Sequence, residues 1–289
     1  MTNRPIRRRQ TSTTGTRTAA KAEAGHNRSL AGVGGRFRTA WRSERPHAAA
    51  AMATAIRVVN QLRRDHRTLA LILLMPPGIL ALFRYVYDAH PAIFARIGAP
   101  LLGIFPLVIM FVVTSIAMLR ERRTGTLERL MTLPIAKIDI LAGYALAFGA
   151  VAVVQTVVAV AIGVGLLDVH THGHTTALAA LAILAALFGM AFGLFVSAFA
   201  RTEFQAVQFM PALLFPQLIL GGLFAPRDEF PRVLEIVSDI LPLSYVYDAV
   251  VRALAGDSSG LFWRDVGIIA GATVVALLLG AATLRRRTR

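Results

Sequence analysis

The sequence predicts an all-α membrane protein: six transmembrane helices preceded by a helix lying at the membrane surface. Three observations carry that expectation. Of the 289 residues, 55% are hydrophobic and only 16% charged, well beyond the apolar share of soluble domains. Six apolar runs reach the roughly 20 residues that a helix needs to cross a hydrocarbon layer about 30 Å thick. The net charge of +15 is patterned, since about half of the basic residues precede Thr68 and most others crowd the stretch from Arg120 to Asp139 and the C-terminus. Cationic loops that alternate with uncharged ones follow the positive-inside rule.

Residues 1–50 are rich in Thr, Arg, Ala and Gly, and bury too little apolar surface to offset the entropy of ordering; they are expected to be a disordered basic cytoplasmic tail. They are not a secretory signal, because the first apolar run begins only near Leu69. From Met52 the pattern becomes helical. Met52, Ala55, Ile56, Val59 and Leu62 share one face, with Arg57, Gln61 and Arg64 on the other, as in a helix lying along cytoplasmic headgroups.

The six runs are Thr68 to Tyr87, Ile97 to Leu119, Ile140 to Leu167, Thr176 to Ala200, Phe204 to Phe224 and Asp265 to Leu284. An even number puts both termini on one side. With that side cytoplasmic, the Arg120 stretch, Arg201 and the terminal Arg285, Arg286, Arg287 and Arg289 lie inside, while the loop around His170 has no Lys or Arg. Pro76, Pro77, Pro100, Pro106, Pro211 and Pro216 remove helix hydrogen bonds, and are expected to kink or start helices. Gly189, Gly193 and Ser197 form a small-residue stripe for close helix packing, as do Gly267 and Gly271 in the last run.

Between the second and third runs lies RERRTGTLERLMTLPI, from Arg120 to Ile135. Gly125 ends the preceding helix, Thr126 can cap a new one, Glu128 suits its positive end, and Pro134 stops it. Leu127, Leu130 and Met131 fall on one stripe, which calls for a covering surface, expected on a partner. This stretch resembles the loop between the second and third membrane helices of ATP-binding-cassette (ABC) exporter permeases of type 2, through its Arg-Glu, Gly-Thr-Leu-Glu and Pro-Ile elements. Ala200-Arg201-Thr202-Glu203 through Leu241-Pro242-Leu243-Ser244-Tyr245 resembles the closing half of the same family.

The resemblance makes 51–289 an ABC type 2 transmembrane domain. It implies that the surface helix is the family's elbow helix. It also implies that Arg120, Glu121, Gly125, Thr126, Leu127, Glu128, Leu130, Met131 and Pro134 form a coupling helix that docks on an ATPase subunit. The segments Val233 to Ile240 and Ser244 to Leu254, too short and polar to cross a membrane, would be re-entrant outer helices, with Pro226, Phe230, Pro231, Pro242 and Tyr245 shaping an external gate. The implied assembly is two ATPase copies and a second permease, identical or a sister chain, in the cytoplasmic membrane. ATP and Mg would sit on the partner ATPase, with no cofactor on this chain and no nucleic-acid partner.

The chain has no G-x-x-x-x-G-K-[ST] phosphate loop and no H-E-x-x-H, so it reads as a transport subunit rather than an enzyme. No Asp, Glu, Lys or Arg falls in the middle of a run, which disfavours an ion-driven secondary transporter; the charged loop disfavours an inert anchor. His170, His172 and His174 alternate, but without a fourth ligand beyond Asp168 the spacing assigns no metal. Candidate substrate-path residues are Gln155, Phe188, Phe192, Phe195, Phe199, Gln208, Met210 and Gln217, although helix packing explains the Phe stripe and interhelical bonding the Gln residues equally directly. The Phe-rich, Trp-poor spans favour a hydrophobic or amphipathic cargo such as a drug, antibiotic or lipid, and the loop resembles the drug-efflux branch of the family. A polysaccharide or ion exporter, or an ATP-independent channel, is the competing reading.

Overall fold

The computed structural model describes residues 47–132 and 136–283. Most of the 1–50 tail, Pro134 and the terminal Arg cluster lie outside the described residues. The described residues are helical, without a strand: α1 (47–64), α2 (His66–Val86), α3 (Pro91–Arg123), α4 (Thr126–Met131), α5 (Lys137–Gly165), α6 (Thr175–Val196), α7 (Glu203–Leu220), α8 (Arg232–Ile240), α9 (Pro242–Leu254) and α10 (Gly260–Thr283), with a 3-10 turn at Arg227–Glu229.

By length and composition, α2, α3, α5, α6 and α10 are able to cross a membrane. Five helices therefore meet the requirement where the sequence suggested six. The difference is α7, which has 18 residues. Gln205, Gln208 and Gln217 dilute its apolarity, and Gly221 and Gly222 close the run before Phe224. The prolines inside α2, α3 and α7 sit within continuous helices.

α3 and α6 are the buried centre of the bundle. Their contact depends on the Gly189 and Gly193 stripe. A Cβ on Gly189 would stand 2.2 Å from the Leu107 carbonyl oxygen, and one on Gly193 would stand 2.3 Å from Thr114 Oγ1. Thr114 uses that proximity to donate to the Met190 carbonyl across the crossing, at 3.1 Å. The second expected stripe behaves differently: a Cβ on Gly267 or Gly271 would meet nothing within 4 Å, so among the described residues no helix packs closely there. α10 packs on α6 at its other end, where Gly280 faces Phe195 and Leu141.

α1 also departs from the expected face. Ala51, Thr54, Ala55 and Val58 are buried, while Met52 and Ile56 are more than half exposed. The reason lies on α5, where Gly143 leaves so little room that a Cβ would stand 2.5 Å from Thr54 Cβ and 2.7 Å from the Ala51 carbonyl. The helix is thereby rotated so that small residues face the bundle, and Arg57 turns inward with them.

Candidate functional site

α1, α2, α3, α5 and α7 line an open-sided cavity of about 670 Å³ at the end of the bundle that carries α4. Its upper walls are apolar, with Leu71, Ile72 and Met75 from α2 facing Val108, Val112 and Ile116 from α3. Its mouth is polar, edged by Gln61, Asp65, Thr68, Arg120, Glu121 and Tyr144.

Asp65 and Thr68 are fixed by a local cap, and Arg120, Glu121 and Tyr144 by contacts between helices. Asp65 is the N-cap of α2, accepting from the Thr68 amide at 3.1 Å and the Thr68 hydroxyl at 2.6 Å. Those two bonds, the hydroxyl's first, hold the Asp65 carboxyl below the ordinary carboxylate range. Arg120 forks onto Glu203 at the start of α7, through Nε at 2.9 Å and Nη2 at 3.0 Å. Glu121, the next residue on α3, turns the other way: its Oε1 accepts from Arg57 Nη1 at 3.1 Å, while Arg57 Nη2 donates to the Tyr144 hydroxyl at 2.6 Å. The Tyr144 hydroxyl lies close enough to Glu121 to interact with it, and Glu121 Oε2 is buried with no well-formed hydrogen bond among the described residues.

The candidate coupling residues cluster directly below this mouth. Gly125, in the left-handed region at φ +73°, is the N-cap of α4 and makes the turn that Thr126 was expected to cap; Thr126 instead pairs its hydroxyl with that of Thr124 at 3.0 Å. Leu127 is only 3% exposed and belongs to the buried cluster that also holds Met118, Ile140 and Tyr144, and Leu130 and Met131 lean on the same cluster. Leu127, the first residue of the stripe, is therefore covered by this chain, while Leu130 and Met131 stay only partly buried. Glu128 and Arg129 are the exposed face of α4. Arg120 and Glu121 are engaged in the two ion pairs above.

The substrate-path candidates divide. Gln208 and Met210 line the cavity together with Pro211. Phe188, Phe192 and Phe195 do not line it. They stack along α6 with centroids 5.6 and 6.5 Å apart, Phe192 meets Phe111 at 5.4 Å, and all three pack in the central core. Phe199 is exposed, edge-on to Phe195. Gln155 is fully buried in α5 with neither amide atom bonded, and Gln217 donates to the Leu213 carbonyl at 3.0 Å.

At the opposite end, Pro226 precedes the 3-10 turn, Phe230 ends it, Pro231 introduces α8 and Pro242 opens α9. Arg227 binds Asp239 and Asp248, the Tyr245 hydroxyl donates to the Asp239 carbonyl, and Ser238 donates to the Leu220 carbonyl at 2.7 Å. Burial pushes the Asp248 carboxyl up, against the pull of Arg227. α8 leaves Val233, Ile236 and Ile240 exposed. His170 and His172 are exposed and His174 faces Gly256; among the described residues no three His, Cys, Asp or Glu come together as a metal site.

Sequence reasoning singled out Arg120, Glu121 and Gln208 for this region but not Asp65, Tyr144 or Glu203. Only Asp65 carried a local signal, the cap pattern Asp65-His66-Arg67-Thr68.

Comparison with known proteins decides what kind of bundle this is. The model of the ABC-2 type transporter family matches residues 50–254, which include every wall of the cavity. The chain belongs to the ABC-2 type transporter family. Among curated relatives, "Probable multidrug ABC transporter permease YbhR" of Escherichia coli is 25% identical over 179 residues, covering 62% of this chain and 49% of that protein. "Linearmycin resistance permease protein LnrN" of Bacillus subtilis is 24% identical over 176 residues, covering 58% and 43%. "Inner membrane transport permease YhhJ" of Escherichia coli is 28% identical over 164 residues, covering 56% and 43%. The chain thus spans about half the length, or less, of the curated relatives it matches. As an ABC-2 permease it is a multi-helix membrane protein of the transport class.

Proposed function

We propose that this permease is the transmembrane half of an ATP-driven exporter in the cytoplasmic membrane, with both termini cytoplasmic, moving a hydrophobic or amphipathic molecule outward. Two copies of a separate ATPase subunit, which carry ATP and Mg, drive it together with a second permease. The observation that carries this reading is the continuity of α3. The same helix supplies the cavity wall, then Arg120 and Glu121 at the mouth, and ends at Arg123, from where Thr124 and Gly125 lead directly into α4. A partner pressing on the exposed Glu128 and Arg129 would displace the end of α3, and with it the two ion pairs that tie α3 to α1 and α7. Binding energy at α4 can bias the cavity only by acting differently on its open and closed forms.

The apolar walls support a cargo drawn from lipid. The names of two relatives, a multidrug permease and a linearmycin resistance permease, favour the same class. The outer helices α8 and α9, tied to α7 through Ser238 and to the 3-10 turn through Arg227, would form the external gate, with the exposed apolar face of α8 in the outer leaflet.

The test is purification from the native membrane followed by identification of what accompanies the chain. An ABC ATPase whose turnover in liposomes rises with lipophilic drugs is expected. Stimulation by a lipid-linked sugar alone would reassign the cargo. Substrate flux with no ATPase in the preparation would replace the pump with a channel.

A further inference from the structure

The cavity mouth carries an imbalance of charge that its walls do not settle. Its ionisable lining consists of Asp65, Glu121, Arg120 and the phenol Tyr144. Arg120 is neutralised by the fork onto Glu203. Arg57, which pairs with Glu121, stands behind the wall with both terminal nitrogens committed. On the lining itself acceptor capacity remains open, while behind it Arg57 Nε is also buried without a partner among the described residues. Glu121 has a side chain only 8% exposed, and its Oε2 has no hydrogen-bond partner among the described residues. Asp65, across the mouth, is exposed, with its carboxylate kept ionised by the Thr68 bonds.

A buried carboxylate oxygen without a partner costs free energy until a donor or a positive charge reaches it. Above it lies an apolar chamber whose volume is that of a small-molecule site. We propose that this cavity binds lipophilic cations. The apolar body lies against Ile72, Val112 and Ile116, and the cationic centre lies at the mouth between Glu121 and Asp65. Lipophilic anions are refused by the same two carboxylates. This names the cargo class of the export reading and rests on it only in taking the cavity as the place where cargo is held.

The probes are tetraphenylphosphonium and tetraphenylborate, which share a shape and differ in sign. Binding to the full chain in phosphatidylcholine nanodiscs is measured by equilibrium dialysis and corrected with protein-free discs. The phosphonium is expected to bind about tenfold or more tightly than the borate, as charge complementarity in an apolar site requires. Glu121→Gln and Asp65→Asn should each weaken phosphonium binding severalfold. Asn still caps α2, and Gln still accepts from Arg57. Val207→Trp, at a cavity-lining position that is 44% exposed, should weaken it by filling the chamber. Asp88→Asn, an exposed carboxylate just after α2 and away from the cavity lining, should leave phosphonium binding unchanged.

Equal affinity for the two ions, a preference for the borate, or no binding beyond empty discs would overturn the proposal. So would unchanged binding in both carboxylate variants. If Glu121→Gln does not fold, Asp65→Asn and the ion pair still decide. The assay contains neither ATP nor ATPase, so its failure leaves the permease assignment standing. Absence of an ATPase partner alongside intact phosphonium binding would sink the ATP-driven export reading and not this proposal.

Discussion

Arg57 and Glu121 are 64 residues apart in the chain and 3.1 Å apart in the fold, and their contact joins α1 to the end of α3 beneath the cavity. The pair is asymmetric: Glu121 is 8% exposed and Arg57 is 35% exposed. Removing the guanidinium therefore strands a buried carboxylate, whereas removing the carboxylate leaves a cation that water can still reach. Arg57→Ala should destabilise the chain by roughly 3 kcal/mol, the low end for breaking a buried pair. Glu121→Ala should cost less, and the double variant less than the sum. Thermal unfolding in nanodiscs gives the cycle, and additive losses would show that the contact carries no coupling.

The elements were legible in the sequence where punctuation is local. Pro231 and Leu241-Pro242 marked α8 and α9 to within two residues, because proline restricts the chain wherever it stands. The Gly189 stripe announced the close α3 and α6 crossing. The site was much less legible. Arg57 meets Tyr144 across 87 positions and Arg120 meets Glu203 across 83, and no period reports a contact of that span. The apolar stripe of α4 was visible, but the burial of Leu127 depends on a cluster drawn from other helices. The inward turn of Arg57 depends on a glycine at 143 that only tertiary packing gives a meaning.

The two glycine stripes separate close packing from mere helix content. Gly189→Ala puts a methyl where the Leu107 carbonyl already stands, 2.2 Å away, and should greatly lower the yield of folded protein. Gly271→Ala meets open space and replaces a poor helix former. Its effect should be neutral, or stabilising by up to about 1 kcal/mol. Size-exclusion profiles and melting points of the two variants are the measurement. Equal behaviour would mean that the α3 and α6 crossing is looser than described.

Sidedness is open to direct chemistry because the chain contains no cysteine. His170→Cys and Ser258→Cys, both at exposed positions, should react with an impermeant maleimide added to intact cells. Thr132→Cys, exposed just after α4, should react only after permeabilisation. Labelling of Thr132→Cys in intact cells would place α4 outside and remove it from any contact with an ATPase.

Coupling is the prediction that the structure changes most. The stripe of α4 was expected to bind a partner, yet Leu127 lies in this chain's own core at 3% exposure. A charge placed there costs several kcal/mol without a compensating pair. Leu127→Asp should therefore deplete folded permease before any question of association arises, and its loss of activity would say nothing about coupling. The informative positions are Glu128 and Arg129, which α4 turns outward. Replacing both with Ala should move stability by no more than about 0.5 kcal/mol, as at ordinary surface sites. The same change should reduce ATPase co-purification and substrate-stimulated turnover, while tetraphenylphosphonium binding stays unchanged. Intact association in that double variant would place the ATPase contact away from α4, and would break the proposed route from α4 through the end of α3 to Arg120 and Glu121.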